Sequence, residues 1–202
     1  IFNMATGTGK TLTSLNIVYQ EYLKYQSINL FIFVPTSILL DQWVEECKSF
    51  NLINIITSKN KRYPEDLNRL SKRLNQNGFA PNFVFITTYA NFSKPKFQKL
   101  FSNLNFPELT CIFDECHNIG SRSMLKVLPS KIKYRIGLSA TPQRMFDETG
   151  NNKMYEYFNS QHYLDLLENI RNPTGKMKIK KTSLTKTRLI KDIKLWLATN
   201  HT

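Results

Sequence analysis

At 202 residues, 41% of them hydrophobic and 12% aromatic, the chain suffices for one well-buried domain with an extension and not for two full domains. No apolar run approaches the roughly 20 residues of a membrane-spanning helix, so the expected protein is soluble and has no membrane partner. The formal charge of +13 favours a polyanionic partner, since Lys and Arg gain affinity by releasing counterions from phosphates; yet nine Lys/Arg against one acid, Asp192, follow from Arg171 onward, which puts eight of those charges in the C-terminal tail.

The chain opens on Ile1-Phe2, inside an expected strand and without a basic, apolar leader, which reads as a start cut within the domain. Residues 4 to 11 then run Met-Ala-Thr-Gly-Thr-Gly-Lys-Thr between that strand and a helical stripe of Leu12, Leu15, Tyr19, Tyr22 and Leu23. A Gly-rich loop in this setting cradles phosphates. Thr6, Gly7, Thr8 and Gly9 would supply backbone N–H groups around a β-phosphate, helped by the positive end of the helix. Lys10 would reach the β/γ oxygens, and the Thr11 hydroxyl would ligate a magnesium ion bridging them. Met4 stands where the strict pattern has glycine, and a Gly-rich turn followed by a solvated lysine is the competing reading of the loop taken alone.

Short apolar runs recur at Leu30–Val34, Ile53–Thr57, Phe83–Thr87, Leu109–Phe113 and Tyr134–Leu138, with helical spacing between them. That alternation predicts an α/β fold, a mostly parallel sheet with helices on both faces. Ile38, Leu39, Trp43 and Cys47 form a second stripe, and Trp43 reads as core rather than as a stacking platform. Segments 60–77 and 91–104 carry mixed basic and apolar helical patterns. Beyond Pro142 the strand rhythm ends: 143–153 is polar, 154–170 has helical character, Asn172-Pro173-Thr174-Gly175 is a turn, and 186–198 is a last amphipathic helix. Cys47, Cys111 and Cys116 lack the paired spacing of a zinc or redox site and read as reduced thiols, which points to an intracellular, cytoplasmic location.

The strand Leu109–Phe113 delivers Asp114-Glu115-Cys116-His117 at the edge of a parallel sheet where ligands bind. Two carboxylates there call for a cation: Asp114 would hold magnesium, and Glu115 would orient and deprotonate a water attacking a γ-phosphorus. Read alone, the cluster is equally an acidic loop after a strand. Gly137-Leu-Ser-Ala-Thr-Pro142 brings Ser139 and Thr141 to the same edge, within reach of the acidic motif.

Ala5-Thr-Gly-Thr-Gly-Lys-Thr11, Val34-Pro-Thr-Ser-Ile-Leu-Leu-Asp-Gln-Trp43, Ile86-Thr-Thr-Tyr89, Asp114-Glu-Cys-His117 and Ser139-Ala-Thr-Pro-Gln-Arg144 resemble, in this order, the motifs of superfamily-two helicases. The resemblance is to the DExH branch, which holds the ATPase subunits of type III restriction enzymes and strand-opening repair and transcription helicases, and it covers residues 1–145. It implies a RecA-like P-loop fold over 1–147, ATP with Mg2+, hydrolysis at Lys10 and Glu115, and coupling of hydrolysis to movement by His117, Ser139 and Thr141. It also implies nucleic-acid contacts at Pro35, Thr36, Thr87 and Thr88, with DNA favoured over RNA and with nuclease or methyltransferase subunits as further partners. For Thr36 and Thr88 a helix N-cap or turn hydroxyl is an equal reading. Residues 148–202 are then a helical and basic extension. The family's second RecA-like domain, source of the arginine finger, is not discernible in it, and Arg144 lies on the wrong domain for that role. A chain without the finger is expected to hydrolyse ATP very slowly. A non-catalytic nucleic-acid-binding remnant is the alternative, and a small-molecule kinase is disfavoured by the Ser-Ala-Thr motif.

Overall fold

The computed structural model describes residues 1–3, 9–78, 81–106, 108–129, 132 and 134–158. Thr6, Gly7 and Thr8 of the Gly-rich loop, the turn at 172–175, the last expected helix and the basic tail 171–202 lie outside the described residues.

Among the described residues six strands form one sheet: β1 (Phe2–Asn3), β2 (Asn29–Val34), β3 (Ile55–Thr57), β4 (Phe83–Thr88), β5 (Leu109–Asp114) and β6 (Tyr134–Ser139). Their order is β1-β6-β5-β2-β4-β3, and every neighbouring pair is parallel. Each apolar run in the sequence therefore becomes a strand, shifted by at most two residues at one end. Asn29–Val34 is buried at all six positions, as a strand covered on both faces requires.

Alternation sorts the side chains into two layers. Ile86, Ile32, Ile112 and Ile136 stand in register across four adjacent strands and join an aliphatic layer. Over it pack α1 (Lys10–Tyr25), through Leu15, Val18 and Tyr22, and α2 (Ser37–Ser49), through Leu40, Trp43 and Cys47. The opposite face is aromatic: Phe31, Phe33, Phe83, Phe85 and Phe113 meet α3 (Tyr63–Asn77), α4 (Tyr89–Phe92), α5 (Pro95–Asn103) and α6 (Glu148–Phe158). There Phe33 stacks on Phe113 at 4.8 Å between centroids and meets Phe92 edge-on at 4.7 Å.

Three expectations shift. Leu23 of the first stripe and Ile38 of the second are exposed, and Val18 and Leu40 take the buried places, because a helix with apolar residues at adjacent positions offers more than one stripe. The segment 91–104 is two helices, since Pro95 opens α5 and the residue before it, Lys94, is extended (ψ 136°). The helix expected from 154 begins at Glu148, where the Asp147 carboxylate accepts from the Gly150 N–H. This helix carries Met154 and Phe158 into the aromatic core. Gly137 makes room for it, as a Cβ there would lie 3.0 Å from Phe158 Cζ and 3.2 Å from Cys116 Sγ.

The three cysteines are buried and free of disulfides, and burial pushes the Cys47 and Cys116 thiols up to about 12. Among the described residues no helix is long and apolar enough to cross a membrane.

Candidate functional site

Because all six strands are parallel, their C-terminal ends share one edge of the sheet. The register fixes the neighbours: Asn3, the last residue before the Gly-rich loop, pairs with Ser139, and Leu138 pairs with Asp114. Thus β6 lies between the strand that feeds the loop and the strand that carries the acidic pair.

On the loop side, Gly9 precedes α1 in the left-handed region (φ 94°), where a glycine carries no Cβ penalty. Among the described residues no side chain caps this helix start and its first turn holds no acid, so its N–H groups and dipole favour an anion. Lys10 and Thr11 are the first two helical residues. Lys10 Nζ stands 4.0 Å from Glu115 Oε1, with both side chains largely withdrawn from solvent. Thr11 and Asp114 line one open cavity of about 770 Å3.

On the acidic side, Asp114 ends β5 and is pinned at every oxygen. Its Oδ2 accepts from the Trp43 indole N–H at 2.9 Å, its Oδ1 from the Glu115 backbone N–H at 3.0 Å, and its carbonyl from the Tyr89 hydroxyl at 2.7 Å. Burial raises the Asp114 carboxyl above its ordinary value, against the Trp43 hydrogen bond and with the Glu115 charge adding to the rise. A cation beside it would relieve that penalty. Glu115 occupies the left-handed region (φ 47°, ψ 56°), which a residue with a side chain adopts at a cost of order 1–3 kcal/mol. That turn swings its carboxylate back toward Lys10 and β6.

Its other oxygen closes a network. Ser139 Oγ donates to Glu115 Oε2 at 3.2 Å and accepts from the Thr141 N–H at 3.2 Å. His117 Nδ1 lies 3.3 Å from the same Oγ and 3.5 Å from Glu115 Oε2, and His117 Nε2 faces the Asn118 amide at 3.4 Å. With the serine proton directed at Glu115, the contact between Ser139 Oγ and His117 is made when Nδ1 carries a hydrogen. Arg144 is engaged elsewhere: its Nε donates to Asp147 at 2.9 Å and its Nη1 reaches the His117 carbonyl at 3.4 Å.

The sequence motifs at Lys10, Thr11, Asp114, Glu115, His117, Ser139 and Thr141 therefore converge. Those expected to contact nucleic acid divide. Thr36 is exposed and caps α2, accepting from the Leu39 N–H, and Thr88 caps α4, accepting from the Asn91 N–H. Thr87 is buried, and its hydroxyl accepts from the Asn91 amide, so its side chain presents nothing to a strand lying on the surface. Pro35 is half-buried at the same edge. Trp43, Tyr89 and Asn118 were not among the expected site residues; the signal for Trp43 was a buried indole, whose N–H needs an acceptor.

Residues 1–144 match the family described as Type III restriction enzyme, res subunit. The chain belongs to this family. The res-subunit match ends at Arg144, just after the network described above. Two solved structures share the fold of this chain. One is a nuclease-deletion mutant of the Type ISP restriction-modification enzyme LlaGI in complex with a DNA substrate mimic, with a TM-score of 0.52 and 22% identity over 73% of this chain. The other is the Hef helicase domain of Pyrococcus furiosus, with a TM-score of 0.53 and 20% identity over 78%. The chain spans 16% of the first protein's length and 33% of the second's. No curated protein matches it. The fold is thus that of the RecA-like N-terminal domain of superfamily-two helicases.

Proposed function

We propose that this domain binds Mg-ATP at the strand edge and works as the first motor domain of an ATP-dependent DNA translocase or helicase, hydrolysing ATP when paired with a second RecA-like domain. The observation that carries the reading is the 4.0 Å approach of Lys10 to Glu115, a phosphate-binding lysine facing a carboxylate held in place by Ser139. The pair puts a phosphate-binding cation and a water-activating carboxylate on one strand edge, and entry of a γ-phosphate with its attacking water would draw the two side chains apart.

In this reading Thr6, Gly7, Thr8 and Gly9 wrap the phosphates, and Lys10 neutralises charge on the β/γ oxygens. The all-oxygen donor pair of Thr11 and Asp114, on one cavity, suits a hard divalent cation. When bound, magnesium would neutralise charge on the β- and γ-phosphate oxygens. Glu115 takes the proton of the attacking water, and its strained backbone and Ser139 fix the direction from which it does so. His117, Ser139 and Thr141 relay the state of Glu115 toward the face a second domain would cover. Thr36 and Thr88 lie at helix N-termini with Pro35 nearby, where short hydroxyls and backbone N–H groups can hold phosphates of one strand without reading bases. DNA is favoured because the LlaGI relative was solved with a DNA substrate mimic.

The test is DNA-stimulated ATP hydrolysis by a protein that joins this domain to a second RecA-like domain. Lys10→Ala should lower turnover by about 10²-fold or more, the scale on which an electrostatic stabiliser of the transition state counts. Unchanged turnover sinks the enzymatic reading. DNA binding with a steep salt dependence and no magnesium-dependent nucleotide affinity would instead favour a non-catalytic DNA-binding role.

A further inference from the structure

Trp43 was expected to be core, and its ring is: the residue is 3% exposed among the aliphatic layer that includes Leu40 and Cys47. Its nitrogen does something else. The indole N–H passes from α2 to the end of β5 and donates to Asp114 Oδ2 at 2.9 Å. A buried indole needs only some acceptor, and a backbone carbonyl would satisfy it. Here the acceptor is the carboxylate that shares a cavity with Thr11, and Trp43 lines that cavity too.

The second donor makes the arrangement specific. Asp114 Oδ1 accepts from the Glu115 backbone N–H, so the two carboxylate oxygens are each held by one N–H, from different elements. Two such bonds fix the carboxylate plane. Each oxygen keeps a further lone pair, since an ionised carboxylate accepts at about four positions. Partners that orient a metal-holding side chain in this way tune its affinity for the ion.

We infer that Trp43 is a positioning residue for the magnesium site: its indole N–H holds the Asp114 carboxylate in the orientation from which, with Thr11, it would hold the cation. The inference rests on the Mg-ATP reading above. It makes Trp43 act through Asp114, with no contact to substrate of its own.

The experiment follows binding of a fluorescent ADP analogue to the 202-residue chain while Mg2+ is titrated, and repeats it in EDTA. Trp43→Phe, which keeps an aromatic ring but loses the N–H, should raise the Mg2+ concentration for half-maximal binding by about tenfold or more and leave Mg2+-free affinity within about twofold. A packing role moves both conditions together or neither. Should Trp43→Phe fold poorly, benzothienylalanine at this position keeps the indole shape with sulfur in place of N–H, and the same Mg2+ shift is expected. Asp114→Asn sets the scale of a lost carboxylate. If Asp114→Asn abolishes the Mg2+ effect while both Trp43 replacements keep it, the inference falls and the proposed function stands. If the unaltered chain shows no Mg2+-dependent binding, both fall.

Discussion

Glu115→Gln should bind Mg-ATP within a few-fold of the unaltered protein and lose turnover by a factor on the order of 10² to 10⁴, the usual contribution of a positioned general base. Glutamine preserves the volume of the side chain and an oxygen that can accept from Ser139, so the network of Ser139, His117 and Thr141 has little reason to reorganise. What disappears is the capacity to take a proton. The left-handed backbone at residue 115 is common to both side chains, so its strain cancels in the comparison. Single-turnover hydrolysis in the two-domain protein, alongside nucleotide binding, measures the two quantities separately. Unchanged turnover would move the base to another residue; lost binding would make Glu115 part of the phosphate cradle instead.

Phe33→Ala should destabilise the domain by about 3–5 kcal/mol, measured by denaturant unfolding. Phe33 lies one residue from the C-terminal end of β2, fully buried, touching Phe92 of α4 and stacked on Phe113 of β5, so truncation opens a cavity where α4 meets the sheet. The ring also backs β5 one residue before Asp114, in register with Phe113. Ile38→Ala provides the contrast. Although the sequence pattern places Ile38 in a buried stripe, it is 69% exposed, and its loss should change stability by no more than about 0.5 kcal/mol.

That contrast marks what sequence patterning can and cannot resolve. Strands such as Leu30–Val34 were legible because burial on both faces produces an unbroken apolar run bounded by polar residues. Helix faces were less so: Leu23 and Ile38 fit a stripe as well as Val18 and Leu40 do, and only the position of the sheet decides among them. The end of the domain was legible in part. Asp147 capping through Gly150 is a local signal for a helix start, but the demand for Phe158 comes from a gap beside Gly137, a contact 21 positions distant. Within the site, the Gly-Lys-Thr and Asp-Glu motifs announce their chemistry by residue type and spacing, and parallel topology brings them to one edge. The partners of Asp114 could not be read in the same way, since Trp43 and Tyr89 reach it from α2 and α4 across 71 and 25 positions. Which helix overlies which strand end is a tertiary fact.

In the proposed function Lys10 and the acidic pair form one magnesium-nucleotide site. Equilibrium binding of ADP and a non-hydrolysable ATP analogue to the 202-residue chain, with and without Mg2+, tests it most directly. Affinity should rise with Mg2+ and fall about tenfold or more in Lys10→Ala, as expected when a charge-assisted contact worth roughly 1.5–3 kcal/mol is removed. Nucleotide binding indifferent to both Mg2+ and Lys10 would contradict it.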